Sequence, residues 1–146
     1  MTGYKVVAIA LILVLGLTFG AANLAQAQSG LIGTALKLFG ISYVVRHFSG
    51  QINSFINKLA GQHGIQYSGT TKVVPIISAG NGIYMGAAQV QGTPDRVSQT
   101  RAVGQVETSL QGLRGKLLVP VNTTSIGKSL KRIQGVGVSA LIDFKI

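Results

Sequence analysis

Between residues 29 and 62 the apolar side chains fall into one series, Leu31, Ala35, Leu38, Ile41, Val45, Phe48, Ile52, Phe55 and Leu59, each three or four positions after the last. That spacing places them on one stripe of an α-helix. Lys37, Ser42, Arg46, Ser49, Gln51, Asn53 and Asn57 fall on the opposite side. Gly40 and Gly50 each weaken a helix by about 1 kcal/mol relative to Ala, so a kink or break is expected at one of them. Gly61 and Gly64 are the natural stop, because glycine enters the left-handed cap region without a Cβ clash.

From Thr70 onward the period changes to two, with β-branched residues and glycine punctuation. Residues 72–79 (KVVPIISA) and 83–91 (IYMGAAQVQ) flank Gly80-Asn81-Gly82, a combination suited to a tight hairpin turn. Pro75 has no N–H to give a ladder, which argues for an edge strand or a bulge. Gly92-Thr93-Pro94-Asp95 reads as a turn. Residues 97–108 fit either a helix, through Val103, Val106 and Leu110, or a strand; Val and Thr content with Gly104 inside favours the strand. Residues 115–121 form a further strand, and 126–133 read as one or two helical turns or a loop. Residues 135–146 alternate, with Val136, Val138, Ala140, Ile142, Phe144 and Ile146 expected on one face. Helix followed by strands predicts an α+β fold in which an amphipathic helix packs on an antiparallel β-meander of four or five strands.

Ahead of the helix, Lys5 and an apolar run over residues 6–19 precede Ala25-Gln26-Ala27, whose small residues suit signal-peptidase cleavage. The run would span about 21 Å as a helix, short of a hydrocarbon core of about 30 Å. Residues 1–27 are therefore expected to be a secretory signal peptide and 28–146 a single small domain, exported to the periplasm, the cell surface or the medium. No lipoprotein cysteine follows the run, and the chain has no cysteine at all, which excludes disulfides, thiolate metal sites and thiol nucleophiles. About 120 residues can bury a sufficient core without such staples.

Charge changes the picture more than length does. The chain carries +10, and without residues 1–27, which hold Lys5 and no acid, the remaining 119 residues carry +9. A field of that sign concentrates anionic partners. Outside the cytoplasm these are lipid head groups, wall or lipopolysaccharide phosphates and extracellular DNA. Arg96, Arg101, Arg114, Lys116, Lys128, Lys131 and Arg132 are the candidate anion-binding residues. They have only Asp95, Glu107 and Asp143 as possible counter-charges. Nucleic-acid binding is disfavoured, since few aromatic residues outside the helix and last strand are available for stacking on bases.

Catalytic chemistry has little to draw on. Three carboxylates and two histidines can be assembled with a serine into a triad on paper, but no Gly-x-Ser-x-Gly elbow exposes a nucleophile. His47 and His63 lack the further ligands a zinc site needs. Gly80-Asn81-Gly82-Ile83-Tyr84-Met85-Gly86 departs from a dinucleotide fingerprint by one position and leads into a strand, so it is read as a hairpin. No cofactor is expected and the enzyme class is disfavoured. The sequence thus points to a non-catalytic exported protein associating through a basic surface with an anionic lipid or envelope polymer. One alternative is a carrier of a small apolar ligand between helix and sheet, where Gly82, Gly86, Ala87 and Ala88 would leave room. Another is self-assembly through the Pro75 strand or the terminal strand. The helix stripe lying on a bilayer is a third, disfavoured because the last strand needs a cover. A β-barrel is excluded for a single chain with so few strands.

Overall fold

The computed structural model describes residues 21–126 and 130–144, with side chains from residue 30 onward. The apolar run at 6–19 lies outside the described residues, and Ala25-Gln26-Ala27 are helical. Helix α1 (Ala21–Gln62) consists of two segments joined across Gly40, whose φ of 85° and ψ of 179° are non-helical. The break expected at Gly40 or Gly50 therefore falls at Gly40. There the chain divides into two compact units, residues 41–144 forming the second. In the first unit Ala35 and Leu36 are buried.

Gly64 closes α1 at a φ of 72°. Ile65 N–H donates to the Ala60 carbonyl at 2.9 Å and Gly64 N–H to that of Gly61 at 3.1 Å, the paired bonds of a Schellman cap. Strands β1 (Thr70–Ser78), β2 (Tyr84–Gly92), β3 (Ala102–Leu110), β4 (Leu113–Val121) and β5 (Gly137–Ile142) form one sheet in the order β4-β3-β1-β2-β5. The fold is α+β. Its sheet is mixed instead of an antiparallel meander, because β1 and β3 are parallel over Ile76–Val103, Ile77–Gly104 and Ser78–Gln105.

The cause is helix α2 (Pro94–Gln99), within a stretch read from sequence as turn and strand. Pro94 starts this helix where a missing N–H costs nothing, and Asp95 suits the positive end of its dipole. Carrying the chain across β1, α2 buries Val97 against Val74, Ile76, Ala88, Val90 and Val103, with Ile133 and Val136 completing that layer. The described residues between 122 and 136 form no helix; they return the chain across the sheet to β5.

The opposite face has two coverings. Residues 41–62 of α1 lie over Thr71 and Gln89, while Ile126 and Leu130 cover Ile77, Ala102, Val119 and Val121. A Cβ on Gly104 would stand 2.8 Å from Leu130 Cδ2, so this glycine permits the close approach.

Three side-chain expectations change. Phe55 is 64 % exposed and Leu59 44 %, so α1 does not bury the whole apolar stripe. Its inward side also carries Asn53 and Asn57, because the sheet presents Gln89 and Thr71 there and these need polar partners. Pro75 lies in the central strand, not an edge, so β1 offers no edge for self-assembly. Its missing N–H is tolerated because β3 joins β1 only from Ile76 onward, and the register on β2 shifts directly afterwards. The last strand does not keep one alternation either. Gln89 pairs with Ala140 but Val90 with Val138, so Ser139 is bulged. Val138 then follows the face of Val90, while Ala140 and Ile142 follow Gln89 and Ala87.

Candidate anion-binding cleft

Parallel pairing begins only at Ile76 and Val103, so the amino-terminal part of β1 has no β3 residue paired beside it. There Lys72 donates from Nζ to the Thr100 carbonyl at 2.8 Å. Residues of α1 roof this part, and the result is a cleft of about 370 Å³ within the second unit. Ser42, Val45, Arg46 and Ser49 line it from α1, Lys72 to Pro75 from β1, with Tyr84, Arg101 and Thr124 at its rim. Ser42, Arg46 and Ser49 are placed together by helical spacing of four and three.

The electrostatics of this cleft are one-sided. Among the described residues Arg46, Lys72 and Arg101 enter it and no carboxylate does. Burial, and secondarily the neighbouring Arg101 guanidinium, push the Lys72 pKa below the ordinary lysine value. Both effects disfavour the charged ammonium, and a bound anion would offset both. The hydroxyls of Ser42, Ser49, Thr124 and Tyr84 supply neutral donors around the cations. The arrangement suits a phosphate or carboxylate group. Neither histidine lines it, and the His47 ring stands tilted against Tyr43 with centroids 4.2 Å apart.

Next to the cleft lies a second polar cluster of opposite character. Gln89, fully buried, donates from Nε2 to Asn53 Oδ1 at 2.9 Å and to Asn57 Oδ1 at 2.8 Å. Both asparagine amides donate to Thr71 Oγ1 at 3.0 Å, and Ser139 Oγ donates to Gln89 Oε1 at 2.7 Å. Every member is partnered, so this cluster fixes where α1 sits on the sheet and offers little to a ligand.

Of the seven basic residues selected from sequence, Arg101 alone lines this cleft. Arg96 is exposed on α2. Arg114 pairs with Glu107, and Lys116 stands opposite Glu107 across the β3–β4 ladder. Lys131 borders a small hollow of about 70 Å³ with Asn122, Thr123 and Ser125, and Arg132 is exposed. Lys128 lies outside the described residues. Sequence reasoning missed Arg46 and Lys72; the Ser42–Arg46–Ser49 spacing was a usable signal, whereas nothing local marked Lys72 as Arg101's neighbour.

The small residues proposed to leave room for an apolar ligand have other surroundings. Ala87 and Ala88 are fully buried, Gly82 sits in the β1–β2 turn, and a Cβ on Gly86 would come 2.9 Å from the Ile142 carbonyl. No group of three or more potential metal-binding side chains occurs among the described residues. Nor is any described helix long and apolar enough to cross a membrane. In comparison with known proteins, no family model, curated protein or solved structure matches the chain.

Proposed function

We propose that this chain is a non-catalytic, exported protein that holds an anionic component of the cell envelope by its phosphate or carboxylate groups in the cleft of Arg46, Lys72 and Arg101. The observation that carries this reading is the gathering of three cations and four hydroxyls around one cleft that no carboxylate of the described residues enters. Like charges gathered around one cleft, Lys72 partly buried and Arg46 and Arg101 exposed, repel one another, and an anion would relieve that repulsion. Export rests on the leader pattern of residues 1–27. The remaining excess of basic residues supports recruitment to anionic surfaces at low salt.

Titration with glycerol phosphate, followed by NMR shifts of the Lys72 and Arg101 backbone amides, tests it. Saturable shifts that centre on these residues and weaken with salt are expected. Arg101→Gln should reduce affinity about tenfold, the scale of one lost charge-assisted hydrogen bond. Shifts scattered over all basic residues, equally strong in Arg101→Gln, would refute a cleft-centred site.

A further inference from the structure

Beyond the pairs that join β3 to the central strand, the β3–β4 hairpin runs on as a ribbon of two strands. β3 pairs with β1 only through Val103, Gly104 and Gln105, and β4 is the sheet's edge. Residues 106–117 consequently have no third strand beside them, a situation in which a ribbon gains little from water-exposed pairing. The turn at Gln111-Gly112, with φ of 45° and 85°, matches the twist of a two-residue hairpin.

The two faces of this ribbon differ sharply. Val106 pairs with Leu117 and Leu110 with Leu113, on the face that Ala102, Gly104, Val119 and Val121 bring to the core nearer the sheet. Past the core no described residue buries it: Leu110 is 69 % exposed, Leu113 73 % and Leu117 61 %. On the reverse face stand Glu107, Arg114 and Lys116, with Arg114 ion-paired to Glu107. This is an amphipathic element with an apolar underside and a cationic back.

We infer that the β3–β4 ribbon is a membrane-surface anchor whose Val106, Leu110, Leu113 and Leu117 side chains enter the interface of an anionic bilayer. Charge decides between this occupant and a second copy. A copy brings the same +10, and the outer strand of the ribbon carries Arg114 and Lys116, charges that oppose edge-to-edge pairing. An anionic lipid surface is complementary to the net charge, while Arg114 and Lys116 on the back of the ribbon stay in water. Length sets the mode: five residues per arm reach about 16 Å, enough for one leaflet and too little for a core of about 30 Å. The ribbon therefore lies on the bilayer and does not span it. The inference shares an anionic partner with the proposed function and uses none of the cleft residues.

Because the chain contains no tryptophan, single reporters can be placed in the full chain on each face, Leu113→Trp on the apolar one and Ser109→Trp on the other. With phosphatidylglycerol vesicles, Leu113→Trp emission should move to shorter wavelength and be quenched about twofold by acyl-chain bromines, as expected ~5–10 Å below the interface. Ser109→Trp should remain at its aqueous position. An unshifted Leu113→Trp on phosphatidylglycerol would overturn the inference, all the more because the N-terminal apolar run can itself hold the full chain on the vesicle. Equal shifts at both sites would also overturn it, and so would a Leu113→Trp shift already present without vesicles, the result if a second copy or another part of the chain covers the ribbon. Leu110→Trp, at an equally exposed position, repeats the reading should Leu113→Trp fold poorly. Adding Arg101→Gln separates the two proposals: it should weaken glycerol phosphate binding and leave the Leu113→Trp shift in place.

Discussion

Two polar clusters lie between α1 and the sheet, and they are built on opposite terms. Around Gln89, two asparagines, a threonine and a serine exchange hydrogen bonds at 2.7–3.4 Å, and among the described residues no buried side-chain polar atom lacks a partner. Around Lys72, three cations share a cleft with hydroxyls and, among the described residues, no acid. The first cluster satisfies itself and so specifies how the helix docks. The second gathers positive charge beside hydroxyls and leaves it without a described counter-charge. Physical self-sufficiency is thus a better guide to role here than polarity, since both clusters are polar and both lie under the same helix.

The largest expected effect comes from breaking the self-sufficient cluster. Gln89→Leu strands Asn53 Oδ1, leaves Asn57 Oδ1 only the 3.4 Å bond from Thr71 Oγ1 and the Ser139 hydroxyl only its 3.3 Å bond to the backbone carbonyl of residue 89, and should lower unfolding free energy by about 2 kcal/mol in denaturant titrations. If stability changed by less than about 0.5 kcal/mol, the size of an ordinary surface substitution, the network would not be what seats the helix. Arg101→Gln is the contrasting change. It should leave the denaturation midpoint unchanged or slightly raised, because it removes a like charge from beside Lys72, while glycerol phosphate affinity falls. A loss of stability comparable to that of Gln89→Leu would erase the distinction between the clusters.

The smallest effect is in pH. Folding lowers the Lys72 pKa, so between its folded and unfolded values the unfolded chain binds more protons and stability rises as pH climbs through that window. Anion affinity should fall over the same window as the ammonium is lost. Thermal melts and glycerol phosphate titrations from neutral to alkaline pH check both signs. In Arg101→Gln the window should narrow from below, leaving only the part due to burial.

Much of the fold was legible because its signals are local. The break at Gly40, the stop at Gly64, the turn around Asn81 and the α+β order all follow from residues within a few positions of each other. Pro75 was legible in half: a register irregularity does follow it, but its strand is central. A missing donor shows only that one side of the strand goes unpaired at that point, and a parallel pair that begins late meets that condition as well as an edge. The apolar stripe of α1 misled for a related reason. Which helix face is buried depends on what the sheet presents, and Gln89 reaches its position only after β1 and β2 have paired. As for the cleft, Arg101 stood out through the surplus of cations, while Arg46 and Lys72, 55 and 29 residues before it, did not.

By itself, then, the sequence determined the long helix and the strands, though not α2, together with most of the turns that bound them, the cationic surplus and the poverty of acid–base residues, all properties of composition or short-range geometry. Only the tertiary structure decided the strand order, the parallel pairing and its late start on β1, the exposed ribbon of residues 106–117, and the meeting of Arg46, Lys72 and Arg101. Those depend on contacts between distant segments, whose free energies compete across the whole chain and leave no periodicity in any one part of it.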